Sequence, residues 1–150
     1  MTDNIADRAI VVTRLFDAPR ELVFAAFTER EHVENWWVPS GSTIHEYNGT
    51  PGGLWRYSMP GHDSEQYHFK VRFIEIDQPR RLVYDYGEDA EDASDPVRTN
   101  VTFEEENGRT RVTLQLTFAT AAARDEAAQY GASAGAQQAL RSLADYLASL

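Results

Sequence analysis

At 150 residues the chain has the length of one domain, and a chain of this size buries roughly 68–70% of its extended-chain surface, enough for a hydrophobic core. A net charge of -10, from 24 acidic against 14 basic side chains, would repel phosphate backbones and anionic lipid surfaces, which argues against nucleic acid and membranes as partners. The absence of cysteine removes disulfides, thiol nucleophiles and Cys-type zinc sites, and 42% hydrophobic with 11% aromatic content argues against disorder.

The opening "MTDNIADRAI" has neither the basic nor the apolar region of a secretory leader, and no apolar run approaches the ~18 residues of a membrane span. A cytoplasmic location is the expectation. "RAIVVTRLF" (8–16) is rich in β-branched and large apolar residues and predicts a strand. Asp17 and Pro19 then signal a short helix through "PRELVFAAF". In "TERE", Thr28 and Glu31 have the spacing of a capping box, so a second short helix is predicted from about Glu29, carrying His32, Val33, Trp36 and Trp37 towards Pro39.

Adjacent residues point to different faces of a helix or strand, so Trp36 and Trp37 are not expected to share one environment. One ring should anchor the short helices under the sheet and the other should border a cavity mouth. The period then changes to alternation. "STIHEY" predicts a strand, "NGTPGG" a turn, "LWRYSM" a strand and "PGHD" another turn.

"EQYHFKVRFIEI" places Tyr67, Phe69, Val71 and Phe73 on one face and His68, Lys70 and Arg72 on the other, the pattern of a half-buried antiparallel strand. Adjacent Phe73 and Ile74 suggest a bulge. "RRLVYDYGE" follows across "DQPR", and the acidic "GEDAEDASDP" reads as a solvated loop whose spacing is not that of an EF-hand. "VRTNVTFEEE" and "RTRVTLQLTF" flank Asn107-Gly108, a strong hairpin signal.

From Ala121 onward the alanine-rich, proline-free sequence, with Leu140, Leu143, Leu147 and Leu150 at helical spacing, predicts one long helix covering the dry face of the sheet. Gly131 and Gly135 within it suggest a kink or a close approach to the sheet. The expected fold is α+β: a curved antiparallel sheet of about six or seven strands wrapped around a long C-terminal helix, with two short helices after the first strand, in one domain spanning 1–150.

The stretches "VTRLFDAPRELVFAAFTEREHVENWW", "GGLWRYSM" and "FKVRFIEIDQPRRLVYDY", with Gly135 followed by Leu140, Leu143 and Leu147, resemble the START or birch-pollen-allergen (SRPBCC) superfamily. More closely they resemble bacterial proteins homologous to the C-terminal domain of the activator of heat shock protein 90 ATPase. The resemblance implies a helix-grip fold and a cavity for lipids or other apolar molecules. It also implies two alternatives: a chaperone-associated stress-response role, and a cavity enzyme of cyclase or dehydratase type. Members often carry Trp after the helix glycine where this chain has Ala136, which would enlarge a cavity under the helix. "HEYNGTPGG" is longer than the usual approach to the paired glycines, which would reshape its rim.

The residues themselves select no catalytic pair. His32, His45, His62 and His68 are scattered and form no His-Glu-x-x-His arrangement, and "GASAG" and "GTPGG" lack the contexts of a nucleophile elbow and a phosphate loop. Neither a cofactor nor a metal is called for. Candidate cavity residues are Trp36, Trp37, Trp55, Tyr57, Tyr67, Phe69, Tyr84, Tyr86, Phe103, Leu114, Ala136 and Leu140, with Arg98 and His45 as polar partners at the rim. Phe69, Phe73 and Phe103 are read chiefly as core. Tyr57, Tyr84 and Tyr86 stand apart, because a buried phenol needs a hydrogen-bond partner and can orient a polar group on an apolar ligand. The expected partner is a hydrophobic small molecule, with a chaperone as the alternative, and the protein is expected to be a monomer or a homodimer through a sheet edge or helix face.

Overall fold

A computed structural model describes residues 5–38, 41–61, 65–91, 93 and 95–150. His62 and Asp63 of the turn assigned to "PGHD", Asp92 and Ser94 of the acidic loop, and Pro39 lie outside the described residues. A single 3₁₀ turn, Ile5–Arg8, leads into β1 (Ala9–Phe16), followed by α1 (Arg20–Thr28) and α2 (Arg30–Trp36). Six strands come next: β2 (Thr43–Tyr47), β3 (Leu54–Pro60), β4 (Gln66–Asp77), β5 (Arg81–Glu88), β6 (Val97–Glu106) and β7 (Arg109–Thr117). Helices α3 (Ala121–Gln129) and α4 (Ala132–Ala148) close the chain.

The seven strands form one antiparallel sheet in the order β1-β7-β6-β5-β4-β3-β2. This is the helix-grip arrangement that the resemblance implies, built on the antiparallel sheet expected from the alternation. Strict pairing of β6 with β7 follows from Asn107 and Gly108, whose φ values of 53° and 81° match the positive-φ pair of a two-residue hairpin turn. The bulge anticipated at Phe73 and Ile74 is present, because the β4–β5 register shifts between Phe73 and Glu75. The glycine-rich turn supports that strand from the other side: Gly52 donates to the Phe73 carbonyl at 2.7 Å and Phe73 donates to Gly53 O at 3.0 Å.

The core lies between the sheet and the helices. Val23, Phe24, Ala26 and Phe27 of α1 and Val33 and Trp36 of α2 are buried, and Phe103 meets Phe24 and Phe27 at ring-centroid distances of 4.9 and 5.4 Å. Thr110 Oγ1 donates to Ala18 O at 2.8 Å in the interior and ties the start of β7 to the loop before α1.

Two local expectations are corrected. Thr28 does not cap α2; it ends α1 and donates its hydroxyl to Phe24 O at 3.2 Å, while Glu29 stands at the cap of α2 without a side-chain bond. The back-bond to the preceding turn competes with capping for the same hydroxyl. The predicted single C-terminal helix is two. Gly131, at φ 86°, breaks it, and Thr120 caps α3 by accepting from Ala123 N at 3.0 Å. Helix α3 buries no residue, whereas α4 buries Leu140 and Leu143. Leu150 lies beyond α4 and is exposed.

Gly135 does not mark a close approach to the sheet, since a β-carbon there would meet no atom within 4 Å. Gly53 is the opposite case: a β-carbon would fall 2.1 Å from Asn48 O. Gly135→Ala should therefore raise stability by about 0.5–1 kcal/mol through helix propensity. Gly53→Ala should lower it by about 1–3 kcal/mol through enforced overpacking. Urea denaturation of the two variants checks both signs, and a destabilised Gly135→Ala would contradict the open space at that position.

Candidate functional site

Alternation along the strands sends every second side chain to the concave face, and α4 lies across part of it. The gap left between them is a cavity of about 310 Å³. Its sheet wall consists of Tyr57 and Met59 of β3, Tyr84 and Tyr86 of β5, Thr99 of β6, and Leu114 and Leu116 of β7. Phe27 and the Trp36-Trp37 pair close one side. Helix α4 supplies Ala132, Gly135, Ala136, Ala139 and Leu140, which recur at three- and four-residue steps and so share one helix face. Four of these five are alanine or glycine, which is why the helix leaves the space open. Gly135 and Ala139 are exposed and place the mouth along α4.

The adjacent tryptophans divide their work. Trp36 is buried and donates Nε1 to Ala26 O at 2.7 Å, which locks α2 against α1. Trp37 is only half-buried; its ring meets Trp55, Tyr84 and Phe27 at 4.9, 5.5 and 6.3 Å, and its Nε1 donates to the Tyr57 hydroxyl at 3.3 Å. Both rings reach the cavity, and Trp36 also serves as the anchor.

The polar groups of the lining are few. Burial pushes the phenols of Tyr57, Tyr84 and Tyr86 above their ordinary pKa, and Tyr57 is raised further by Tyr86 while the Trp37 N–H works the other way. All three are neutral across the physiological range. Thr99 lies between Tyr84 and Leu116 in the strand register. Its hydroxyl is close enough to the Tyr84 phenol to oppose that upward shift, yet Oγ1 is buried and makes no hydrogen bond of proper geometry. Among the described residues, no carboxylate, imidazole or amine belongs to the lining.

Of the residues singled out in the sequence, Trp36, Trp37, Tyr57, Tyr84, Tyr86, Leu114, Ala136 and Leu140 lie on this cavity wall. Four do not. Trp55 is fully buried behind Trp37 and Tyr57, Phe69 stacks between Tyr57 and Tyr86 at 5.7 and 5.6 Å, and Phe103 fills the core beneath α1. Tyr67 is exposed and packs near Gly61 at the end of the β3–β4 hairpin. Alternation assigns a face but not a position along the strand, and Tyr67 lies beyond the edge of the covered region.

The rim partners are also displaced. Arg98 pairs with Asp85 at 2.5 Å, both on the outer face, and His45 Nε2 lies 2.6 Å from Ser58 Oγ, which in turn lies 2.7 Å from His68 Nδ1. These outward residues cannot reach the cavity through the sheet. His32 Nδ1 meets the Tyr146 hydroxyl at 2.6 Å and joins α2 to α4. Among the described residues, no group of three or more His, Asp or Glu could hold a metal ion, and no helix is long and apolar enough to cross a membrane. Sequence reasoning missed Phe27, Met59, Thr99, Leu116, Ala132, Gly135 and Ala139. Thr99 was within reach, since it shares parity with the buried Val101 and Phe103.

The family model described as Activator of Hsp90 ATPase homolog 1-like protein matches residues 17–148. The fold is also that of several solved bacterial proteins. Protein Ms6760 from Mycobacterium smegmatis is 25% identical, with a TM-score of 0.83 over 99% of this chain and 96% of that one. A protein from Staphylococcus epidermidis is 28% identical, with a TM-score of 0.82 over 99% and 94%. One from Arthrobacter aurescens is 24% identical, with a TM-score of 0.85 over 99% and 91%. No curated protein matches the chain at a significant level.

The raised phenols tie stability to alkaline pH. An unfolded tyrosine titrates near about pH 10, so the stabilisation from keeping these phenols neutral is whole below that value and is lost as pH rises towards their folded pKa values. Denaturant midpoints measured across this window should fall, and Tyr84→Phe should make the fall shallower. An unchanged slope in that variant would contradict the burial of the Tyr84 phenol.

Proposed function

The chain belongs to the Activator of Hsp90 ATPase homolog 1-like family, and from that starting point we propose that it binds a hydrophobic small molecule in the cavity between the sheet and α4. The observation that carries this reading is the helix face of Ala132, Gly135, Ala136 and Ala139 opposite a wall of large side chains. Core packing favours filled space, so a stretch of small residues facing aromatics holds a volume open. At about 310 Å³ the cavity is at the lower end of ordinary ligand sites, which also combine mostly apolar walls with a few polar groups. Among the described residues, its titratable lining groups are phenols held protonated, which gives little support to acid–base catalysis in the cavity.

A second reading is contact with a chaperone ATPase. It is favoured by the extent of the family match and by the exposed Tyr130 at the junction of α3 and α4 on a strongly acidic chain. Aromatic side chains are enriched at protein interfaces. In this reading, immobilised protein retains an Hsp90-type chaperone from lysate and Tyr130→Ala loses it; recovery of no chaperone weighs against it.

Native mass spectrometry of the gently purified protein tests the first reading. A discrete adduct of a few hundred daltons, the scale of an ordinary pocket ligand, is expected. Ala136→Trp should abolish that adduct while leaving the circular dichroism spectrum unchanged, because the indole would occupy the cavity. Retention of the adduct by a folded Ala136→Trp protein would place the ligand elsewhere.

A further inference from the structure

Resting on the cavity-binding reading, we infer that the cavity selects compact, electrically neutral molecules that carry one hydroxyl or carbonyl group, and that this group lodges in the corner formed by Thr99 and Tyr84. Thr99 is 1% exposed and sits on the cavity wall, and its Oγ1, beside the Tyr84 phenol, makes no hydrogen bond of proper geometry. Buried hydroxyls are nearly always paired, so an orphan on the wall of a ligand-sized space points to a partner that arrives with the ligand. A threonine hydroxyl turns about one bond and both donates and accepts, so it can serve either a carbonyl or a hydroxyl.

The register makes the corner a designed position in the sheet. Thr99 is directly opposite Tyr84 on β5 and Leu116 on β7, so a small polar residue stands in a row where its neighbours are large. Leu82, Val101 and Leu114 form the next inward row and are all buried. A valine at 99 would satisfy the same burial without leaving a hydroxyl unpaired, which makes the threonine costly unless something pairs with it.

The rest of the wall fixes the charge of the guest. Tyr57, Tyr84 and Tyr86 can donate hydrogen bonds, but among the described residues no lining side chain carries a charge. The cationic side chains of the neighbouring strands are turned outward, where Arg98 and Arg56 are paired with Asp85 and Asp89. A carboxylate or an ammonium in the cavity would shed its water and find no counter-ion, a heavy penalty in an apolar site. An acid whose carboxylate lies inside the cavity is therefore disfavoured, and a phenol, alcohol or ketone is favoured.

Naphthalene, 2-naphthol and 2-naphthoate separate the requirements in a two-dimensional NMR titration of the full chain at neutral pH. On the wild-type protein 2-naphthol should bind more tightly than naphthalene, and 2-naphthoate at least about tenfold more weakly than 2-naphthol, as expected for an unpaired buried charge. Thr99→Val should weaken 2-naphthol by about three- to tenfold, the scale of one hydrogen bond, and leave naphthalene unchanged or tighter. The valine keeps the shape of threonine, and the unchanged naphthalene affinity reports that the cavity is intact.

Equal losses for naphthalene and 2-naphthol in Thr99→Val, an unchanged ratio between them, or 2-naphthoate binding as well as 2-naphthol would overturn the inference while leaving the cavity a binding site. Failure of all three probes to bind the wild-type protein would overturn the binding reading together with it.

Discussion

The dry face of one wide sheet has to be covered, and most of the molecule follows from how that is done. Seven strands spaced at ~4.8 Å span roughly 29 Å, whereas one helix with its side chains is only about 10–12 Å across. Helix α4 therefore covers a strip. The chain makes up the difference with α1 and α2, whose Phe24, Phe27, Val33 and Trp36 pack over the sheet near Phe103. The cavity is the seam between those two coverings. It survives because α4 turns alanine and glycine towards it and because the indole of Trp36 is fastened to α1 by its bond to Ala26 O.

Charge is divided by the same sheet. Arg56–Asp89, Arg81–Glu75, Arg98–Asp85 and Arg111–Glu106 are ion pairs of the wet surface, with side chains 20–50% exposed, where solvent screens them and each adds little to stability. The guanidinium groups of Arg56, Arg98 and Arg111 are held in the charged form by the carboxylates bonded to them. Across one strand thickness the chemistry changes to phenols that stay neutral. A sheet with a salt-laced exterior and an uncharged interior needs no buried ion pair to specify which face is which; the alternation of the strands suffices.

Most of the architecture was legible because it is written in short-range patterns. The period of two in "VTLQLTF", the Asn107-Gly108 pair and the doubled apolar step at Phe73 and Ile74 each encode a local geometry that tertiary contacts did not override. The failures lie where two local options compete. Thr28 could cap forward or bond backward, and the helix α1 took its hydroxyl. Gly131 could continue a helix or end one, and its positive φ ended it.

The cavity wall was legible only where residues are large. Aromatics advertised themselves, and Trp37, Tyr57, Tyr84 and Tyr86 were found that way. The small residues that create the volume gave no comparable signal, because an alanine facing a void and an alanine facing water look the same in sequence. Trp55 and Phe103 had the right composition but stand one layer too deep. Depth is set by which rings stack on which, and that is a property of the assembled sheet.

The division of labour between sheet and helix also separates what can change from what cannot. The residues of α4 that face the cavity make few demands on the rest of the fold: a β-carbon at Gly135 meets nothing, and Ala132, Ala136 and Ala139 border open space. Replacements on this one face can lengthen, shorten or block the cavity without disturbing a strand pair. A lineage could therefore exchange one guest molecule for another by single substitutions along α4, each a viable intermediate, while Leu140 and Leu143 hold the helix in place.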